Sequence, residues 1–223
     1  MPLTAPDFDR YFTPGHSFVL AGGERGTLAV AVAGDLWLPS GRVTACDPFT
    51  SLGGGWAAPF TAEVAPGRYR AETAVATFTA PGADPGGRPH LRTAAARLVI
   101  RDTATVTWEM AVTEGQDPSR LEDDAYFGYG VDAGTGCFYD PAADDSFPQC
   151  EGDEGPLWDA FEEDGHGPGP HLVTGEHGHG LVAFGSGWGD GHYPTWIGRD
   201  ADGAITCFVT DFFVVPTPGD DAA

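Results

Sequence analysis

Glycine and proline occupy nearly a quarter of this chain, 33 and 19 of its 223 positions. Punctuation that dense argues against a helical bundle and for many short strands joined by turns. Apolar residues make up 41% of the chain and aromatics 12%, enough for the core of one domain or at most two small ones. Their spacing agrees. In ATVTWEMAV, Ala104, Val106, Trp108, Met110 and Val112 alternate with Thr105, Thr107, Glu109 and Ala111, which turns one row inward and the other toward water. RYRAETAVATF (68–78) repeats the pattern, with Tyr69, Ala71, Thr73, Val75 and Thr77 on one side. TLAVAVA (27–33), DLWL (35–38), GRVTAC (41–46), LVAFGS (181–186) and YPTWIG (193–198) read as shorter strands. AITCFVTDFFVV (204–215) is apolar on both faces, as a covered central strand would be, and Asp202-Gly203 before it signals a hairpin. RTAAARLVIR (92–101) points two ways: its alanines favour helix, its LVIR favours strand. PLWDAFEED, with Pro156 at a first helical position and Trp158 and Phe161 three apart, reads as a short helix. The expectation is one all-β domain over residues 1–223. It is a two-layer antiparallel β-sandwich with one or two short helices and a frayed tail over 216–223.

Charge narrows the function classes. There are 33 acidic residues against 11 basic ones, every basic residue is arginine, and the formal net charge is −22. Nucleic-acid binding by phosphate neutralisation needs a cationic face, so no nucleic-acid partner is expected. Anionic lipid headgroups would repel such a surface, and no apolar run approaches the length of a membrane span. The opening MPLTAPDFDRYF lacks the basic and apolar segments of a secretory signal. A cytoplasmic location with no membrane partner follows as an expectation. Sixteen of the acidic residues fall between 114 and 165, beside the single Arg120, and this stretch reads as an acidic loop region. The cysteines, Cys46, Cys137, Cys150 and Cys207, form no CxxC pair and have no histidine at zinc-ligand spacing. In a reducing compartment they are thiols, with Cys46 and Cys207 acting as small core residues. Cys137 and Cys150 flank an acidic stretch and could pair under oxidising conditions.

Several polar residues could carry chemistry. Asp211 interrupts an apolar run, where an ionised carboxylate costs several kcal/mol unless it is bonded, paired or metal-bound. The plainer reading is a strand-end aspartate accepting backbone N–H bonds. Gly189, Asp190 and Gly191 lie in GSGWGDGHYP, where glycines allow close backbone approach by a ligand but equally serve a tight turn. Asp132 in FGYGVDAGTGCFYD follows the same logic; DAGTG looks like a phosphate-binding turn of actin-like ATPases, but it lacks their α/β context. Asp200, Asp202 and Gly203 suggest the start of a calcium loop without its later acidic ligands. His177 and His179 make an HxH pair in a glycine-flanked loop beside His171. No GxSxG motif marks Ser186 as a nucleophile.

In GRVTACDPF (41–49), APGRYRAETAVA (65–76), RTAAARL (92–98), TWEMAV (107–112), FGYGVDAGTGCFYD (127–140) and SGWGDGHYPTWIGRDADGAITCFVTDF (186–212), the order of motifs resembles domain-of-unknown-function family 4241. Asp47, Arg97, Trp108, Glu109, Asp132, Gly134, Gly187, Gly189, Asp190, Gly191, Asp211 and Phe212 carry the likeness. It implies a single-domain, bacterial, intracellular, β-rich protein and brings no established activity, cofactor or catalytic residue. Small acidic bacterial families of this kind resemble immunity proteins of toxin systems, an analogy of context.

Three function classes remain. The first is an immunity-like interaction protein that docks a basic partner protein through 114–165, with Asp123, Asp124, Asp144 and Asp145 as contact residues. The second is a hydrolase assisted by a divalent cation held by Asp132, Asp190 and Asp211, with His192 as general acid–base. It requires the three carboxylates to converge. The third is a small-molecule sensor whose pocket is lined by Trp188, Tyr193 and Trp196 with Gly189 and Gly191 nearby.

Overall fold

The computed structural model describes residues 1–79, 89–147, 155–163 and 167–217. The longest strands build a seven-stranded antiparallel sheet. Its order is β1 (Ser17–Val19), β2 (Arg25–Leu38), β4 (Gly67–Thr79), β5 (His90–Val99), β13 (Ile205–Asp211), β12 (Thr195–Arg199) and β6 (Thr107–Met110). β13 is hydrogen-bonded on both sides, by β5 and β12, which agrees with its two apolar faces. The ambiguous alanine run is strand. Ala94, Ala95 and Ala96 lie fully buried between β4 and β13, where pairing on both edges outweighs alanine's helical preference.

A second, four-stranded sheet runs β3 (Thr44–Cys46), β8 (Thr135–Tyr139), β10 (Gly180–Gly185) and β9 (His171–Thr174). Because side chains alternate along a strand, its two faces diverge. Phe138, Val182 and Phe184 join the core of the larger sheet with Leu36, Leu98 and Phe208. Cys46, Cys137, Tyr139, Leu181 and Ala183 belong to a separate apolar cluster with Leu52, Phe147, Leu157 and Phe161. That cluster lies beneath α2 (Pro48–Ser51), the turn Pro141–Ser146 and α3 (Pro156–Glu163). A two-stranded ribbon of β7 (Tyr129–Val131) and β11 (Gly191–Tyr193) stands beside the sheets. The N-terminal segment, with its single turn α1 (Phe8–Tyr11), covers part of the larger sheet: Phe8 packs on Trp108 at 4.8 Å, and the Arg97 guanidinium lies 3.8 Å over the Phe12 ring.

Three details depart from the sequence reading. TLAVAVA and DLWL are one strand, β2, whose register shifts between Val32 and Gly34; Gly34 takes φ +124°, a conformation open to glycine. ATVTWEMAV yields only the four-residue edge strand β6, paired on one side, and Val106 is 61% exposed. The stretch 114–165 is not a loop region. It contains β7, α3 and the fully buried β8, because TGCFY fills the middle of the second sheet. Residues 148–154 and 164–165 of that stretch, Cys150 among them, and 218–223 of the tail lie outside the described residues.

Phe138 is fully buried and joins the cores of the two sheets. Phe138→Ala is expected to cost about 3–5 kcal/mol in urea unfolding. Val106→Ala, on the exposed edge, is expected to change stability by less than about 0.5 kcal/mol.

Candidate functional site

Two turns and one buried carboxyl bring the candidate residues into view. The turn at 132–134 follows β7, and its backbone is held from beneath by Asp47, the residue capping α2. Asp47 Oδ2 accepts the N–H groups of Asp132 at 2.8 Å and Ala133 at 2.7 Å, while Oδ1 accepts that of Phe49 at 2.9 Å. Burial raises the Asp47 carboxyl above its usual range, against the pull of these three donors. The second turn, 186–190, lies against the first. Ser186 N–H donates to Gly134 O at 3.0 Å, and Gly134 N–H donates to Asp190 Oδ1 at 3.1 Å. Within that turn the Ser186 hydroxyl and the Tyr193 hydroxyl both donate to Gly189 O at 2.8 Å. Gly189 sits at φ +114° and Gly187 at φ +63°. The glycines thus serve the turn itself.

Asp211 ends β13 and is 2% exposed. Its Oδ1 accepts the Phe213 N–H at 3.0 Å, and the Tyr11 hydroxyl hydrogen-bonds the same carboxyl. Desolvation dominates, and the carboxyl is pushed up to about 7. The Asp211 charge also reaches Tyr126, whose phenol is raised first by burial and then by that charge. The Tyr126 hydroxyl donates to His192 O at 2.9 Å, and the rings of Tyr126 and His192 lie 5.7 Å apart. His192 is exposed, on the ribbon strand β11.

The three carboxylates expected to converge on a cation, Asp132, Asp190 and Asp211, are engaged separately. Among the described residues no three His, Cys, Asp or Glu side chains are grouped to hold a metal ion. Asp190 is engaged by a backbone N–H, Asp132 is exposed, and Asp211 is enclosed between Tyr11 and the Phe213 amide. The plainer reading of Asp211, a strand end bonded by backbone N–H, matches the geometry. Asp200 likewise accepts the N–H groups of Asp202 and Ala204 within its hairpin. His179 stacks on Trp37 at 5.4 Å and His171 lies 4.5 Å from the Phe161 ring.

The sensor residues separate as well. Trp188 is 48% exposed and packs on Phe78 at 5.5 Å, with the Arg92 guanidinium 5.6 Å from its ring. Tyr193 is buried against Phe212 at 5.0 Å. Trp196 is buried and lines a groove of about 770 Å³ with Trp108, Met110 and the segment Met1–Ala5. Neither Trp188 nor Tyr193 reaches that groove.

Of the proposed contact aspartates, Asp123, Asp124 and Asp145 are exposed, and Asp123 pairs with the Met1 ammonium. Asp144 is used internally: the Tyr139 hydroxyl and the Gly55 N–H both donate to it at 3.1 Å.

Sequence reasoning missed the structural work of two aspartates. Asp140 is fully buried and accepts Ser40 N–H at 2.9 Å, the Ser40 hydroxyl at 2.8 Å and Ala142 N–H at 2.9 Å. Asp47 plays the matching part in front of α2. The signal was legible. Asp47-Pro48, Asp117-Pro118 and Asp140-Pro141 each place a capping carboxylate before a proline at the first helical position, and each carboxylate accepts the N–H two residues on.

A family model described as protein of unknown function (DUF4241) matches residues 36–210, which include both turns and the Asp47 and Asp140 caps and end one residue before Asp211. No curated protein and no solved structure matches the chain.

Asp211 supplies a pH test. Its folded pKa lies above that of a free aspartate, so the folded state binds the proton more tightly. The stabilisation is complete below about pH 4 and is lost as pH rises through about 7. Relative to Asp211→Asn, the native protein is expected to lose on the order of 3–4 kcal/mol across that interval. Urea unfolding of both proteins from pH 4 to pH 8 measures this, and parallel pH profiles would count against the buried, proton-binding carboxyl.

Proposed function

We propose that this chain, which belongs to DUF4241, a family of proteins of unknown function, is an interaction protein that meets a cationic partner protein through an acidic loop. The loop runs from Glu114 to Asp124, between β6 and β7. The observation that carries this reading is how the acidic residues divide. Asp140 and Asp144 are engaged inside the fold, whereas Glu114, Glu122, Asp123 and Asp124 are exposed on this one connection. Among the described residues no arginine pairs with Glu114, Glu122 or Asp124, and Arg120 is held by Asp117 of the same loop. Adjacent like charges met only by the Met1 ammonium at Asp123 leave a negative local field, which speeds encounter with an oppositely charged surface. Asp145, on the turn after β8, and Asp132 are also exposed.

This reading narrows the contact surface from 114–165 to the loop proper, because the rest of that stretch holds a buried strand and its cap. An immunity-like role in the cytoplasm of a bacterium is the setting in which such a surface would act, through a toxin with a cationic active site. Among the described residues, no helix is long and apolar enough to cross a membrane.

Affinity capture from the native host tests the proposal. The native chain at low salt is expected to enrich a basic protein. The Glu122→Gln, Asp123→Asn, Asp124→Asn triple variant is expected to lose at least about tenfold of that enrichment, as is the native chain in about 0.5 M salt. Capture insensitive to both salt and the variant would remove the basis for the acidic loop as contact surface.

A further inference from the structure

The second sheet places two cysteines face to face. Cys46 ends β3 and Cys137 lies in β8, and antiparallel register makes them direct partners, as Thr44 is to Tyr139 and Ala45 to Phe138. Their side chains project to the same side, away from the larger sheet, and their sulfur atoms are 3.7 Å apart. Both are free thiols. Opposed residues on neighbouring antiparallel strands have Cα separations of about 4.5–5.5 Å, inside the span that a disulfide bridges. Closing the bond therefore needs sulfur movement and side-chain rotation, with the strand pairing left in place. The sequence alone had suggested Cys150 as the partner of Cys137; Cys150 lies outside the described residues, and the register gives Cys137 a different neighbour.

Access is asymmetric. Cys46 lines a cavity of about 280 Å³ whose wall also includes Ser51, Trp56, Thr113, Gln116 and Tyr129. Trp56, at its rim, is 77% exposed. Cys137 does not line this cavity and is fully buried, and burial pushes its thiol well above the usual range. A small oxidant thus meets Cys46 first, and Cys137 waits behind it as a protected thiol.

We infer that Cys46 and Cys137 form a two-thiol redox site that closes to a reversible intramolecular disulfide on reaction with a hydroperoxide. In the first step the Cys46 sulfur attacks one peroxide oxygen. The O–O bond breaks, Cys46 becomes a sulfenic acid, and the departing hydroxide takes the thiol proton and leaves as water. In the second step the Cys137 sulfur attacks the Cys46 sulfur. The S–S bond forms, the S–O bond breaks, and a second water carries off the Cys137 proton. Two thiols give up two electrons and the peroxide is reduced to two waters. A dithiol reductant reverses the closure by exchange. The bond would join β3 to β8 immediately before Asp47, the carboxylate that holds the turn at 132–134, so the oxidation state bears directly on the exposed Asp132 and Ala133.

The test uses the full chain, reduced and desalted, treated with hydrogen peroxide, quenched with N-ethylmaleimide and analysed by intact mass and peptide mapping. The native protein is expected to lose the mass of two hydrogens and two of its four thiols, to yield a Cys46–Cys137 linked peptide, and to recover all four on dithiothreitol treatment. Cys150→Ser is expected to behave identically, and Cys46→Ala to form no link to Cys137. In strong urea the linkages should scatter among the four cysteines, which separates native geometry from chance pairing. Native linkage of Cys137 to Cys150 or Cys207, irreversible oxidation of Cys46 without Cys137, or four thiols left intact would each overturn the proposal. The native mapping requires no variant to fold.

Discussion

A shortage of countercharge governs how this protein buries its acids. With three carboxylates for every arginine, few acids inside the fold can be met by a cation. Glu72 is one that is: it is buried on β4 and bonded to Arg97 on the neighbouring strand at 2.7 Å, with Arg70 at 3.4 Å. Asp47, Asp140 and Asp211 take a different course and are satisfied by backbone N–H and hydroxyl donors. Each charge-assisted bond of this kind contributes on the order of 1.5–3 kcal/mol, so two or three of them offset a desolvation cost of several kcal/mol. Asp211 has the poorer set, one N–H and one phenol, and it is the carboxyl raised furthest toward neutrality. Between Asp47, with three donors, and Asp211, with two, the difference in donors runs with the difference in shift.

Donors of that kind come from turns, and this explains where the glycines and prolines sit. A strand interior has its N–H groups committed to the ladder; a strand end does not. Asp47 reaches 85 residues along the chain to the turn that leads into β8, and Asp140 reaches 100 residues back to Ser40. Two aspartates thus tie both ends of β8 to distant segments. The strand between them presents Phe138 to one core and Cys137 to the other. The close approach of Cys46 and Cys137 follows from this arrangement, because Asp47 anchors the end of β3 beside the turn that starts β8.

Much of this was legible in the sequence, and the exceptions have physical causes. Alternation identified β4, and a doubly apolar run identified β13 as central. Proline placement identified α3. Alternation failed in ATVTWEMAV, because period two records a preference for a two-faced surface and not the presence of a partner on both edges; only β12 pairs there. It failed differently in TGCFY, a short run embedded among acids, where net charge over a window hid five consecutive buried residues. The candidate aspartates were recognised as unusual, yet the pattern cannot say whether a carboxylate in a glycine-rich turn receives a ligand or the turn's own N–H groups. Asp190 accepts the N–H of Gly134 in the neighbouring turn, and Asp211 that of Phe213 two residues beyond it. The partnership of Cys46 with Cys137 needed a register across 91 residues, which local spacing does not contain.

The Asp-Pro pairs show how one local device is put to two uses. Asp47, Asp117 and Asp140 all accept the N–H two residues on, and all precede a proline. Asp47 and Asp140 are then drawn into the second sheet and become its fastenings. Asp117 remains at the surface, where Ser119 lowers its pKa through its hydroxyl and backbone and Arg120 sits beside it. Past Asp117, the acids Glu122, Asp123 and Asp124 cap no helix. Asp124 even adopts φ +59°, the left-handed region that most non-glycine residues avoid. Repulsion among neighbouring carboxylates opposes compactness. Asp47, Asp140, Asp144 and Asp211, by contrast, accept donors within the fold. Three consecutive exposed acids on one connection, two of them without an arginine or ammonium partner, add nothing to the stability of the fold, and they are the residues on which the proposed docking to a cationic partner rests.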